Sequence, residues 1–185
     1  MITFVTGNKG KAEEITKQTN LPIQTIALDL YEVQSLDVRE VIEAKAREAF
    51  KYIGTPVLVD DASVSIDGMG GLPGALVRWF LDSVGNEGIC RFADQSSTRA
   101  ATASVAIGYF DGTDFVPFIS EVTGHISDHP RGEGGYGWDA VFIQEGYSVT
   151  RAELSQEDYS AASIRRPALE SLRDYLQKLT NTRDS

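Results

Sequence analysis

The sequence predicts an α/β protein with a mixed sheet, and three observations indicate it. A short apolar segment at residues 2–6 leads through a glycine into a pattern with helical spacing, which is typical of a strand followed by a helix. Residues 98–110 and 115–124 alternate in polarity around an Asp-Gly turn, as in an antiparallel hairpin. The last apolar stripe recurs at helical spacing and comprises Leu169, Leu172, Leu176 and Leu179.

The first half of the chain contains three further elements. The first helix is predicted by side chains at i, i+3, i+4 and i+7, which are Ala12, Ile15, Thr16 and Thr19. Residues 23–28 predict a second strand. Asp37 with Glu40 three residues later is a capping-box variant, so a second helix begins there, and Gly54 marks its end. The apolar stripe of this helix comprises Val38, Val41, Ile42, Ala49 and Ile53.

The remaining elements follow the second helix. Residues 56–59 form a continuous apolar run, typical of a strand buried on both faces, and we expect it to end at Asp60 and Asp61. A glycine-rich segment at 68–74 precedes a helical pattern at 77–84. Pro167 suits the first turn of the last helix. Parallel and antiparallel pairing together predict a mixed sheet with flanking helices.

Length, charge and composition bound the class of protein. The chain has 185 residues, of which 42% are apolar and 24% charged, values typical of one globular domain over residues 1–185. A net charge of −10 opposes non-specific binding to nucleic acid or to an anionic membrane. The N-terminus has no basic leader, no run of about 18 apolar residues occurs, and Cys90 has no second cysteine to pair with. We therefore expect a cytoplasmic protein without a membrane span.

The turn between the first strand and the first helix is the first candidate for chemistry. It combines a glycine for a tight turn, the N–H groups of a helix start and two lysines, and it comprises Thr6, Gly7, Asn8, Lys9, Gly10 and Lys11. Phosphate binds at such helix starts because their N–H groups are unpaired and carry partial positive charge. The same residues also suit an ordinary helix capped by Asn8, so the segment alone leaves both interpretations open.

Three acidic residues are the second candidate. They are Glu32, Asp60 and Asp61, and because adjacent strand residues face opposite sides, we expect one aspartate of the pair to face the site. A site with few protein oxygen ligands suits Mg²⁺, which keeps waters and is shared with substrate phosphates. Turn formation and solvation explain the aspartates equally well.

Two later segments carry side chains suited to a nucleotide. In residues 134–139, the rings of Tyr136 and Trp138 can stack on a base, while the carboxylate of Asp139 can accept from a base edge or a ribose hydroxyl. Arg165 carries a guanidinium that can donate to a carbonyl or a phosphate. A tryptophan that fills the core and an arginine in a solvated turn are the alternatives.

The order of these motifs resembles one family. Thr-Gly-Asn at 6–8, Glu32, Asp61, Gly-Gly-Leu-Pro-Gly at 70–74, Pro-Arg-Gly at 130–132, Tyr-Gly-Trp-Asp at 136–139 and Arg165 follow one another as in the inosine triphosphate pyrophosphatase (Ham1) family. The resemblance implies an elongated, curved mixed sheet, two lobes around a nucleotide cleft, and a homodimer. It also implies Mg²⁺-dependent hydrolysis of the purine nucleoside triphosphates ITP, dITP and XTP to the monophosphate and pyrophosphate.

The resemblance also implies a role for each matched residue. The segment from Thr6 to Lys11 corresponds to a triphosphate cradle, and Lys45 and Arg78 add phosphate contacts. Glu32 and Asp61 correspond to the metal ligands, and Asp61 also matches the proton acceptor. The remaining substrate contacts correspond to Ala62, Tyr136, Gly137, Trp138, Asp139 and Arg165.

Four positions depart from the family pattern. Ile164 stands where the family has His, Tyr159 where it has Lys, Ala62 where it has Thr or Ser, and Ala140 where it has Pro. If Arg165 meets a 6-oxo group of the base, the missing His predicts weaker selectivity for ITP or XTP over ATP. The departures also motivate two alternatives: a diverged nucleotide-binding protein without activity, or a pyrophosphatase for another modified nucleotide.

Overall fold

The computed structural model describes residues 2–19 and 22–183, and one seven-stranded sheet lies at its centre. The strands are β1 Ile2–Val5, β2 Ile23–Ile26, β3 Val57–Ile66, β4 Pro73–Gly74, β5 Ala100–Phe110, β6 Phe115–Ile126 and β7 Phe142–Gln144. Their order is β2-β1-β3-β5-β6-β7, with β4 paired to β3. β1 is parallel to β2 and β3, and the other pairs are antiparallel. The mixed sheet predicted from the sequence is therefore confirmed.

Helices flank this sheet. They are α1 Lys9–Thr19, α2 Val38–Ile53, α3 Val77–Ala93, α4 Gln156–Ala161 and α5 Arg166–Arg183, with 3₁₀ turns at Asp67–Met69, Gly137–Ala140 and Arg151–Glu153. α3 is broken in its middle because Gly85 has φ 65° and ψ −175°, which is outside the helical region. No helix of the described ranges is long and apolar enough to cross a membrane.

α2 shows how local sequence positions an element. The side chain of Asp37 accepts a hydrogen bond from Arg39 N at 2.8 Å, which satisfies one free N–H of the first turn. Gly54 takes the left-handed conformation, with φ 71°, and donates its N–H to Phe50 O at 2.8 Å. Both predicted ends are confirmed. The face that packs on the sheet comprises Val38, Val41, Ile42, Ala46 and Ala49.

Alternate residues of β3 pack on opposite faces of the sheet. Val57 and Val59 join the apolar cluster under α2, whereas Leu58 joins the cluster under α1 and α5. This alternation is the period-two geometry of a strand. It assigns Asp60 to the α1 and α5 side and Asp61 to the α2 side.

The third strand is longer than its apolar run predicts. The expected end at Asp60 and Asp61 is wrong, because β5 pairs with β3 from Val57 to Ile66 without interruption. The aspartates therefore lie inside a paired strand near the middle of the sheet. Charged groups at such a position need partners, since burying an unpaired charge is costly.

Candidate active site

Two adjoining cavities form a cleft beside the carboxyl end of β1 and the middle of β3. The first cavity has a volume of about 410 Å³ and includes aromatic and apolar side chains in its wall. The second has a volume of about 900 Å³ and contains the acidic residues and the turn after β1. The residues that border both cavities are Asn8, Lys11, Asp61, Ala62 and Arg78.

The structure brings the candidate residues together in this cleft. The first cavity alone is lined by Gly10, Tyr136, Gly137, Trp138, Asp139 and Arg165, and the second alone by Thr6, Gly7, Glu32, Lys45 and Asp60. The side chain of Lys9 lies outside the part of the chain that is described. Arg78 is 77% exposed at the start of α3, and its Nε lies 3.8 Å from Asp82 Oδ2.

The turn after β1 is ordered by its own side chains. Asn8 N donates to Thr6 Oγ1, and Asn8 Oδ1 accepts from Lys11 N, both at 3.1 Å. Asn8 therefore caps α1 while it also lines both cavities. The capping interpretation of this segment is correct, and it is compatible with the ligand-binding one.

Asp60 joins two cations from different elements. Its carboxylate lies 2.8 Å from Lys11 Nζ on α1 and forms a second ion pair with the guanidinium of Arg165, just before α5. Burial raises the pKa of Asp60, but the charges of Lys11 and Arg165 outweigh it and hold the pKa below its usual value. Arg165 Nε also lies 3.2 Å from Glu14 Oε2, a contact that no spacing in the sequence indicates.

Asp61 faces the other side, toward α2. Burial raises its pKa above the usual value, although the charge of Lys45 acts in the opposite direction. Asp61 borders both cavities, whereas Asp60 borders only the second and is ion-paired with Lys11 and Arg165. That only one of the two aspartates faces the site stays a prediction. The two carboxylates act on different groups because adjacent strand residues point to opposite faces.

The ammonium group of Lys45 lies among negative charges. Its Nζ is 2.6 Å from Glu32 Oε1 and 3.4 Å from the carbonyl oxygen of Asp60. Burial lowers the pKa of Lys45, but Asp61, Glu32 and Asp60 outweigh it and raise the pKa above its usual value. This part of the second cavity thus stabilises positive charge.

The acidic part of the second cavity has a donor set that fits Mg²⁺. Residues 2–19 and 22–183 hold no cluster of three or more His, Cys, Asp and Glu side chains arranged for a metal. Glu32 and Asp61 nevertheless line one cavity, and Mg²⁺ commonly binds through one or two carboxylates plus water and substrate phosphates.

The aromatic segment reaches across the first cavity. Tyr136 is 70% exposed, and a Cβ placed on Gly10 would lie 3.3 Å from its hydroxyl oxygen, so the segment approaches the start of α1. Trp138 is half-buried and packs edge to face on Phe142 with ring centroids 5.7 Å apart. Trp138 therefore fills part of the core while it also lines the cavity.

Asp139 is buried within a network of donors. Its Oδ1 accepts from Arg151 Nε, and its Oδ2 accepts from Tyr159 Oη and Tyr136 N, each at 2.8 Å. Arg151 also donates to the side chain of Gln144 and to a backbone carbonyl, again at 2.8 Å. Sequence reasoning missed Arg151, because its only local signal is a capping box that begins one residue earlier.

Ile164 is buried in the core, and it also forms part of the wall of the first cavity. It is 4% exposed and belongs to the apolar cluster formed with Val77, Val105 and Phe142. Its carbonyl accepts a hydrogen bond from Ser120 Oγ. A histidine at this position would place a polar ring against that cluster, so the departure from the family pattern has a packing consequence.

The comparisons agree with this fold and cleft. The sequence profile of the Ham1 family matches residues 2–175. The chain is 40% identical to an inosine triphosphate pyrophosphatase of Yarrowia lipolytica, covering 95% of each chain. It is 35% identical to a dITP/XTP pyrophosphatase of Methanopyrus kandleri, covering 94% of this chain and 95% of the relative.

The solved structures agree too. A HAM1 protein from Coxiella burnetii superimposes with a TM-score of 0.85 at 26% identity, over 96% of this chain and 98% of that one. The mixed sheet and the cleft, whose wall combines apolar, aromatic and charged side chains, define an α/β protein with a concave candidate ligand site. Within that class, the chain belongs to the Ham1 family.

Proposed function

We propose that this protein hydrolyses ITP, dITP and XTP to the nucleoside monophosphate and pyrophosphate with the help of Mg²⁺. The observation that carries the proposal is the pair of adjoining cavities: Tyr136 and Trp138 line the first, Glu32 and Lys45 line the second, and Asp61 borders both. A base and a triphosphate require such neighbouring environments. The curated relatives named inosine triphosphate and dITP/XTP pyrophosphatases, at 35–40% identity, support the same reaction.

Asp61 is the proposed general base. It accepts a proton from the water that attacks the α-phosphorus, and pyrophosphate leaves. The raised pKa of Asp61 supports this role, because a base is most effective when its pKa approaches the working pH. Glu32 and Asp61 would hold Mg²⁺, which when bound supplies positive charge to neutralise the developing charge on the phosphates.

The cations of the cleft position the phosphates. Lys11 and Arg78 border both cavities, and Lys45 lies in the second, so their charges surround the place where a triphosphate passes from one cavity to the other. Positioning and charge stabilisation account for most of the catalysis in phosphoryl transfer. Tyr136 and Trp138 would stack on the base. The family resemblance supports a homodimer, and the single cysteine supports a cytoplasmic location, as further parts of the proposal.

Asp61→Asn tests the proposal. Asparagine keeps the shape of the side chain but does not accept a proton at neutral pH, so Mg²⁺-dependent pyrophosphate release from ITP should fall by about 10²- to 10⁴-fold. Circular dichroism should show an unchanged fold. Asp67→Asn is the matched control, because Asp67 is an exposed aspartate just after the same strand and lines neither cavity. Wild-type turnover in Asp61→Asn would contradict the assigned role.

A nucleotide-binding protein without activity is the second candidate. It is favoured by the ion pairs of Lys11 and Arg165 with Asp60, since these cations are already engaged inside the protein. A panel of normal and deaminated nucleoside triphosphates separates the candidates. Thermal shifts without pyrophosphate release would favour the binding protein, and turnover of an unexpected nucleotide would indicate another modified substrate.

A further inference from the structure

Tyr159 has no role in the function proposed above, although it lines the first cavity. It lies on α4, is half-buried, and shares the cavity wall with apolar residues such as Leu81 and Val105. The family pattern has Lys at this position, so the polar group offered to a base has changed. The inference that follows rests on the proposed function and concerns which bases the same cavity accepts.

The Tyr159 hydroxyl donates its only proton to Asp139. Tyr159 Oη lies 2.8 Å from Asp139 Oδ2, and a carboxylate that is ion-paired with Arg151 can only accept. The phenol must therefore be the donor. Burial, followed by the charge of Asp139, raises the pKa of Tyr159 to about 12, so the hydroxyl keeps its proton at neutral pH.

The orientation of this hydroxyl is reinforced from a second direction. The guanidinium of Arg151 lies 4.7 Å from the centroid of the Tyr159 ring, which is cation–π distance. Arg151 is itself held by Asp139, Gln144 and Ala162. Because both the ring and the hydroxyl are constrained, the remaining lone pairs of the oxygen have a defined direction.

Two of the neighbouring polar side chains, Asp139 and Arg165, are already engaged. Asp139 accepts from three donors, and Arg165 is paired with Asp60 and Glu14. A hydroxyl has one proton and two lone pairs, so Tyr159 can offer a ligand lone pairs only. A lysine at the same position would offer protons only. The change from Lys to Tyr thus replaces hydrogen-bond donors with a hydrogen-bond acceptor in this part of the cavity.

We propose that Tyr159 Oη accepts a hydrogen bond from the protonated ring nitrogen N1–H of a 6-oxopurine and thereby selects against adenine. Hypoxanthine, xanthine and guanine carry this proton, whereas N1 of adenine is unprotonated and would face the lone pairs of the hydroxyl. Tyr159 is therefore a specificity-determining residue, and the ligand class is the purines with a proton on N1. Guanine satisfies the same contact, so Tyr159 does not separate ITP from GTP.

Four nucleotides test this proposal: ITP, GTP, ATP and 1-methylinosine triphosphate, in which a methyl group replaces the N1 proton. In the wild type, kcat/KM for pyrophosphate release should be higher for ITP than for its 1-methyl analogue. Tyr159→Phe keeps the ring but removes the acceptor, so kcat/KM for ITP should fall by roughly 5- to 150-fold, the range for an unsatisfied buried polar group. The values for ATP and the 1-methyl analogue should not fall, because neither nucleotide donates a proton from N1 to this oxygen.

Tyr175→Phe is the matched control. Tyr175 is a half-buried tyrosine that packs on Tyr109 and Phe118 and lines neither cavity, so its variant should keep the wild-type ratio of ITP to ATP. A structural role through Asp139 would lower kcat/KM for all four nucleotides by the same factor, and that result would overturn the proposal.

Two further results distinguish a failure of this inference from a failure of the proposed reaction. If Tyr159→Phe does not fold, equal kcat/KM values for ITP and 1-methylinosine triphosphate in the wild type would still overturn it. If the wild type releases no pyrophosphate from any nucleotide, the proposed function fails. The thermal shifts produced by ITP and its 1-methyl analogue are then compared in the wild type and in Tyr159→Phe. A larger shift with ITP that shrinks in Tyr159→Phe supports the N1 contact, and equal shifts in the wild type reject it.

Discussion

Arg151→Met removes the positive partner of an ion pair that supports the wall of the first cavity. The side chains of Arg151 and Asp139 are 5% and 6% exposed, and Nε lies 2.8 Å from Oδ1. Methionine keeps much of the length of the stem, so the packing of the apolar part is largely retained. The variant therefore isolates the loss of the charge and of its hydrogen bonds.

The expected cost follows from what remains around the carboxylate. Breaking a buried ion pair by removing one partner costs about 3–5 kcal/mol, because the other charge stays buried. Asp139 keeps the donors Tyr136 N and Tyr159 Oη, so we expect the lower end, about 3 kcal/mol. That is a large part of a typical stability of about 5–15 kcal/mol.

Urea unfolding followed by circular dichroism measures this cost. With an m-value of about 2 kcal/mol/M, the midpoint should fall by about 1.5 M. Arg91→Met is the matched control, since Arg91 lies 3.7 Å from Glu87 in a pair whose side chains are 69% and 76% exposed. Such a surface pair should contribute about 0.5 kcal/mol or less.

Two outcomes would refute the reasoning. A loss in Arg151→Met no larger than that in Arg91→Met would mean that the pair is not desolvated. The double variant, which combines Arg151→Met with Asp139→Asn, removes both charges. Its loss of unfolding free energy should therefore be smaller than the sum of the losses in the two single variants. Additive losses would show that the two side chains do not interact.

Two further predictions concern alkaline pH and assembly. The folded pKa of Tyr159 is raised to about 12, above an unfolded value of about 10, so its contribution to stability is complete below pH 10 and is lost as the pH rises toward 12. Between pH 9 and pH 11, wild-type protein should lose more stability than Tyr159→Phe, and parallel losses in urea unfolding would contradict this. The proposed homodimer should give a light-scattering mass near twice the chain mass of 20.2 kDa; a species of only that chain mass, at concentrations on the order of micromolar, would rule it out.

Local patterns predict the elements whose signals lie close together in the chain. The two caps of α2 are examples, since Asp37 and Gly54 act on backbone groups within four residues of themselves. The hairpin of β5 and β6 is another, because a short turn joins its strands. The alternation of β3 also indicates that Asp60 and Asp61 point to opposite faces.

Long-range pairing accounts for the errors and omissions. The length of β3 depends on β5, whose residues lie some 35 to 53 positions further along the chain, so the apolar run at 56–59 underestimates it. Glu14 and Arg165 meet only because α1 and the start of α5 pack on the same face of the sheet. No periodicity of the sequence contains that information.

The sequence by itself determined the fold class, the order of the main elements and many of the residues around the cleft, because strand and helix periodicity and the order of motifs are properties of neighbours in the chain. Only the tertiary structure decided which charges neutralise each other. Asp60 holds Lys11 and Arg165, while Asp139 holds Arg151 and orients Tyr159. The physical reason is that a buried charge or hydroxyl takes its hydrogen-bond partner from whichever element packing brings within about 3 Å, regardless of the separation in sequence.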